Sequence, residues 1–175
     1  MKVKDKNFIP YLGAEEIQDK VLTLASQINK DYLGAKPLFI AILNGSFIFA
    51  SDLMKEIDLE CEISFIKLSS YTEMASSGSI KELIGINENV FNRDIIIIED
   101  IVDTGNTMKS VIDEFNNRGV KSVEVVTLLV KPEALVNTVE LKYVGFEIPN
   151  KFVVGYGLDY DGFGRNSKAI YQLSS

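Results

Sequence analysis

Two adjacent acids, Glu99 and Asp100, directly follow four isoleucines at 95–98 and precede a run of small polar residues, Asp103, Thr104, Gly105, Asn106 and Thr107. Paired carboxylates at the edge of a water-free core need a cation, a substrate hydroxyl or solvent, and hard oxygen ligands of this kind suit Mg²⁺ or its water shell. The polar run offers hydroxyls, a backbone freed by Gly105 and successive N–H groups at the start of a helix, the arrangement that cradles a phosphate. By themselves these residues would also serve as an ordinary acidic strand-to-helix loop with Asp103 or Thr104 as N-cap. Histidine is absent and Cys61 is the only cysteine. That removes a histidine base, a Ser-His-Asp triad, a disulfide framework and a cysteine-clustered zinc site, so proton transfer falls to Asp, Glu, Lys or Tyr.

The charge balance narrows the partners. A net charge of -7 argues against a nucleic-acid binder, whose affinity comes from clustered Lys and Arg. It leaves room for phosphorylated small molecules if a divalent metal sits between the two sets of negative charge. No stretch approaches the ~20 apolar residues of a membrane span, and residues 1–6 alternate charges instead of leading into an apolar core, so a cytoplasmic protein without membrane contact is expected.

The elements that must position these residues are legible in the periodicity. Ile17, Val21, Leu24 and Ile28 predict an amphipathic helix over 14–30, closed by Gly34 and Pro37. The apolar run 38–43 predicts a buried strand ending in the turn Asn44, Gly45, Ser46, with a helix over about 47–56. A strand over 62–68 leads into 69–81, which is polar and small and reads as a mobile loop. The isoleucines at 95–98 predict a strand covered on both faces, with Glu99 and Asp100 emerging at its end. A helix over 108–117, a strand over 123–130 and shorter strands at 143–146 and 152–154 follow. This alternation predicts an α/β fold with a mostly parallel twisted sheet flanked by helices and ligands at the carboxyl ends of the strands. At 175 residues and 46% hydrophobic, one domain is expected over 1–175, with a core of about 14–130 and a small hood from the chain ends, 1–13 and 131–175.

The string 95–108 closely resembles the 5-phosphoribosyl-1-pyrophosphate signature of the type I phosphoribosyltransferases, in which strand, acidic pair and Asp-Thr-Gly loop occur in this order. Further segments resemble the hypoxanthine-guanine branch and extend the similarity over most of 38–165. Leu43, Asn44, Gly45 and Ser46 resemble its pyrophosphate loop, which implies a cis peptide between Leu43 and Asn44. Many members carry Lys where Asn44 stands, so a side-chain charge for pyrophosphate is missing here. Ser70 and Tyr71 resemble the loop that closes over the site and excludes water.

Residues 144–149 and 151–160 resemble the purine-recognition region. The resemblance implies that Phe152 stacks on the base, Val153 reads its edge through backbone groups, Asp159 ligates a second Mg²⁺ and Arg165 pairs with pyrophosphate oxygens. Lys131 matches the lysine that donates to the purine 6-oxo group, which favours hypoxanthine and guanine over adenine. Asp103 is the implied base at the purine nitrogen. The implied activity is purine salvage: transfer of the phosphoribosyl group of 5-phosphoribosyl-1-pyrophosphate to N9 of hypoxanthine or guanine, with xanthine a further candidate, by an Mg²⁺-dependent homodimer or homotetramer. Two rivals keep the same sheet: a nucleotide-sensing regulator that binds RNA, which a basic face would favour, and an acidic-pocket phosphate binder of the response-regulator kind, which would not require Lys131, Phe152 and Asp159 together.

Overall fold

The computed structural model describes residues 1–69, 81–84 and 88–174. In chain order its strands are β1 (Lys2–Val3), β2 (Lys6–Leu12), β3 (Leu38–Leu43), β4 (Glu62–Ser69), β5 (Lys81–Ile84), β6 (Asp94–Val102), β7 (Ser122–Val130), β8 (Tyr143–Glu147), β9 (Val153–Val154) and β10 (Ile170–Leu173). Its helices are α1 (Ala14–Asp31), α2 (Phe47–Lys55) and α3 (Asn106–Asn117). The larger sheet runs β5-β4-β3-β6-β7-β8, parallel except for β5. The smaller sheet, β1-β2-β10-β9, is antiparallel and joins the two chain ends into the hood.

Burial follows the period-2 rule of strands covered on both faces. Ile96 and Ile98 point into a core with Ile17, Val21, Leu24 and Ile28 of α1 and Phe49 and Leu53 of α2. Ile95 and Ile97 point the other way, into a second core with Met108, Val111 and Phe115 of α3. Four consecutive buried isoleucines contribute roughly 1.5–3 kcal/mol each in removed apolar surface. The helices after β3 and β6 therefore lie on opposite faces, and the chain diverges between those strands. That divergence opens a crevice at their carboxyl ends.

Four expectations change. The acidic pair lies within β6 and not past its end, because pairing to β7 continues through Glu99↔Thr127, Ile101↔Leu129 and Val102↔Val130. Pairing to β3 stops at Ala41↔Ile98, so beyond Ile98 the β3 side of the strand is open to the crevice. Helix α3 starts at Asn106 and not at Met108, since Gly105 at φ 79° turns the chain directly into it. Tyr143–Glu147, grouped above with the hood, is the parallel edge strand β8 of the large sheet. The connection before it carries only a 3₁₀ turn, Pro132–Ala134, so the strand–helix alternation stops signalling after β7. Finally, Ser69 and Lys81, at the ends of the polar stretch read as a loop, pair with each other as β4 meets the unexpected β5. Ser70 and Tyr71 lie outside the described residues. Among the described residues no helix is long and apolar enough to cross a membrane.

Candidate active site

The carboxyl ends of β3 and β6 carry the first half of the site. After β3 the Leu43–Asn44 peptide is cis, as the resemblance implied. Gly45 follows, and then Ser46, which is fully buried and donates from Oγ to the carbonyl of Ile42 at 2.5 Å. This hydrogen bond closes the turn from which α2 starts. A Cβ on Gly45 would fall 1.7 Å from Oδ2 of Asp100, so the carboxylate occupies the space that glycine leaves.

Adjacent strand residues face opposite sides, and β6 divides its acidic pair accordingly. Asp100 turns toward Gly45, in the electrostatic field of Arg165 and Asp159. Glu99 turns to the α3 side, where it lines a cavity of about 90 Å³ with Ile101, Val102, Asp103, Thr104, Gly105, Thr107 and Met108. Its Oε2 is buried without a hydrogen-bond partner, and burial together with the neighbouring Asp100 holds its carboxyl well above the usual range. The polar run forms the wall of that cavity. Asn106 and Thr107 occupy the first turn of α3, where N–H groups have no partner within the helix. The loop is braced from outside: the N–H groups of Val136 and Asn137 both donate to the carbonyl of Thr104, and the Asn137 amide bonds Asn106 Oδ1. This brace escaped the sequence reading because 131–142 has no apolar period.

Lys131, at the end of β7, is nearly fully buried and its Nζ bonds Oδ2 of Asp103 at 2.7 Å, while Asp103 itself is half-exposed. One cation and one carboxylate named by the resemblance thus meet beside the cavity. The other such pair lies in the 155–165 loop. Arg165 Nη2 meets Asp159 Oδ1 at 2.6 Å, its Nη1 donates to the carbonyl of Gly157 at 2.7 Å, and Asp159 Oδ2 accepts from the N–H of Gly162. This loop reaches the first half of the site through Gly157, where a Cβ would stand 2.0 Å from the Gly45 carbonyl oxygen. Asp100, Gly45, Gly157 and Arg165 are thereby stacked in sequence across the crevice.

Phe152 and Val153, two of the purine-recognition candidates, sit in the hood. Val153 is buried and paired with Gln172 of β10. The Phe152 ring is 45% exposed, packs on Phe8 and edge-on against Tyr160, and lines a shallow depression of about 290 Å³ with Ile9, Lys151, Gln172, Leu173 and Ser174. The structure does not bring Phe152 into the cavity that Asp103 lines.

The acids in the crevice fit a divalent cation held partly by substrate. Among the described residues no three acidic, histidine or cysteine side chains converge as a ready metal cage, and Mg²⁺ normally uses one or two carboxylates, water and substrate phosphates. Burial, the main cause, pushes Asp100 up to about 6, against the pull of the N–H groups of Ile101 and Asp100 and of the Arg165 guanidinium. In the unfolded chain an aspartate titrates near ~3.9. Between these values the folded protein binds the extra proton, so stability falls as pH rises from about 4 to about 6 and the penalty is complete above that. Asp100→Asn, which keeps the acceptor for the Ile101 N–H, is therefore expected to raise the metal-free Tm at pH 7.5, with the gain vanishing below about pH 4. Melting curves across that range check it, and an equal shift at every pH would contradict it.

Residues 12–161 match the phosphoribosyl transferase domain family. The chain is 46% identical over 153 residues to a hypoxanthine-guanine phosphoribosyltransferase of Streptococcus mutans, covering 87% of this chain and 85% of that one. A hypoxanthine-guanine phosphoribosyltransferase of Staphylococcus aureus is 44% identical over 165 residues, covering 93% and 91%. A solved hypoxanthine phosphoribosyltransferase from Staphylococcus aureus superposes with a TM-score of 0.91 at 41% identity, covering 98% of this chain and 93% of that one. With the signature on β6, the nest at α3 and this similarity along nearly the whole chain, the protein belongs to the phosphoribosyltransferase family, in its hypoxanthine-guanine branch.

Proposed function

We propose that the protein transfers the phosphoribosyl group of 5-phosphoribosyl-1-pyrophosphate to N9 of hypoxanthine or guanine, giving IMP or GMP and pyrophosphate. The observation that carries this reading is the stack of Asp100, Gly45 and Gly157, which brings the pyrophosphate-loop candidate and the Arg165 loop to the ends of the two strands that diverge. The 5-phosphate is held by Thr104, Gly105, Asn106 and Thr107 through first-turn N–H groups and hydroxyls of α3. Backbone groups of Leu43, Asn44 and Gly45 and the Arg165 guanidinium take the pyrophosphate. Phe152 stacks on the base, and Val153 meets its edge. Lys131 exchanges its bond to Asp103 for one to the purine 6-oxo group, and the freed Asp103 carboxylate accepts the purine proton. The adenine 6-amino group cannot accept that bond. Glu99, on the nest side, takes the ribose hydroxyls or their metal. Asp100 and Asp159 on the pyrophosphate side, and Glu99 on the nest side, would hold Mg²⁺ together with substrate oxygens, and the metal would supply charge neutralisation for the leaving pyrophosphate.

An assay of purified protein with each purine, the activated sugar and Mg²⁺ tests the reading. Nucleotide is expected with hypoxanthine and guanine, with none from adenine and a fall to background on adding chelator. Adenine turned over as fast as hypoxanthine, or no nucleotide from any purine, would contradict it. The same reading makes the protein a homodimer or homotetramer. Ile63 and Phe65 of β4, apolar and exposed, are the surface such an interface would take, and light scattering of the purified protein reads the state.

A further inference from the structure

We infer that Tyr156 is a positioning residue whose phenol, bonded to Asp52 on α2, holds the Gly157–Arg165 arm in register with the loop at Gly45. This inference rests on the proposed function for its kinetic consequences and on geometry alone for the tie itself.

Tyr156 stands between Gly155 and Gly157 and has φ 52° itself, so three successive residues have left-handed backbone. Such a segment keeps its shape only when its surroundings over-determine it. Its backbone is tied on the far side by two bonds, from the N–H of Tyr156 to the Ser167 carbonyl and from that of Gly157 to the Arg165 carbonyl, both at 2.9 Å. Those bonds fix the arm within itself and not against the sheet. The side chain supplies the remaining link. Tyr156 is 4% exposed, its ring packs in the core with Val153, Leu158 and Ile170, and its hydroxyl donates to Asp52 Oδ2 at 2.7 Å. Asp52 is oriented in turn by Lys55, whose Nζ reaches Oδ1 at 2.6 Å.

Placement gives this bond its consequence. Asp52 lies on α2, whose first turn begins at the end of the Gly45 turn. One residue beyond Tyr156, the Gly157 backbone touches the Gly45 carbonyl, and the Gly157 carbonyl receives the Arg165 guanidinium. A phenol bonded to one helix therefore sets the distance between the two loops that take the pyrophosphate. A charged acceptor makes this a strong hydrogen bond for its size, and burial of the ring keeps water from replacing it. The purine candidates are held by other means: Val153 by the β10 ladder and Lys131 by Asp103. Loss of the hydroxyl should reach the pyrophosphate side and spare the purine side.

Tyr156→Phe removes only the hydroxyl and keeps the packed ring. Kinetics should show KM for 5-phosphoribosyl-1-pyrophosphate, and for pyrophosphate in the reverse direction, raised by about tenfold or more, the lower end of what a hydrogen bond to a charged group contributes. KM for the purine should stay within about twofold. Asp52→Asn, which keeps a neutral acceptor in place of the charged one, should raise the KM for 5-phosphoribosyl-1-pyrophosphate by less than Tyr156→Phe does, and Asp52→Ala should reproduce Tyr156→Phe. Equal changes in both KM values, or a lowered Tm with both unchanged, overturn the inference. Amide exchange by mass spectrometry tests the tie without turnover, so an inactive wild type would count against the proposed function and leave this measurement decisive. Faster exchange in Tyr156→Phe over 155–167, with α2 unchanged, supports the tie. Unchanged exchange over 155–167 overturns it.

Discussion

Gly157→Ala is expected to lower nucleotide formation by about 10²-fold or more while leaving a folded protein. A methyl at this position would stand 2.0 Å from the Gly45 carbonyl oxygen, a backbone atom that cannot swing aside. The arm carrying Asp159 and Arg165 must then lift away from the pyrophosphate loop. A displacement of ~1 Å in groups that hold a reacting substrate costs ~10²-fold in rate. Gly157 also has φ 102°, where an alanine is strained by roughly 1–3 kcal/mol. Gly34→Ala separates the two effects, because Gly34 has φ 79° with nothing near the added methyl. It should lose stability to a similar degree and keep full activity. Steady-state rates and melting temperatures of both variants check the argument, and a Gly157→Ala enzyme as active as Gly34→Ala would contradict it.

Asp103→Asn is expected to cut turnover by about 10²-fold, the usual contribution of a positioned general base. An asparagine keeps an oxygen for the 2.7 Å contact with Lys131, so the lysine stays in place while the proton acceptor is lost. Binding of 5-phosphoribosyl-1-pyrophosphate, proposed to use the backbone N–H groups of 104–107, should change little. Isothermal titration of the sugar beside kcat separates the two. Unchanged turnover would remove Asp103 from the proton step, and lost sugar binding would make it a phosphate-loop residue instead.

Sequence made the central strand and its consequences legible for a physical reason. Four isoleucines in a row can only be satisfied by cover on both faces, and the structure sends Ile96 and Ile98 to one core and Ile95 and Ile97 to the other. The stripe of α1 and the short run of β3 were legible on the same ground. What periodicity cannot report is where a ladder ends on each side of a strand. Glu99 and Asp100 consequently lie inside β6, facing opposite ways, and not together beyond its end. The brace from Val136 and Asn137 under Thr104 is a few long-range hydrogen bonds, and the tie from Tyr156 to Asp52 is one. Neither leaves a period, and each depends on a tertiary approach that no local pattern encodes. The same holds for Gly157, which reads as one more loop glycine until Gly45 is placed against it.

The pocket proposed at the divergence of β3 and β6 is tested most directly by anomalous diffraction from crystals grown with 5-phosphoribosyl-1-pyrophosphate and Mn²⁺ standing in for Mg²⁺. The expected map has the 5-phosphate on the N–H groups of 104–107 and a manganese peak within ligand distance of the Asp100 and Asp159 carboxylates, beside pyrophosphate at Gly45 and Arg165. A 5-phosphate bound away from the start of α3, or manganese only on outer carboxylates far from Asp100, would contradict the account.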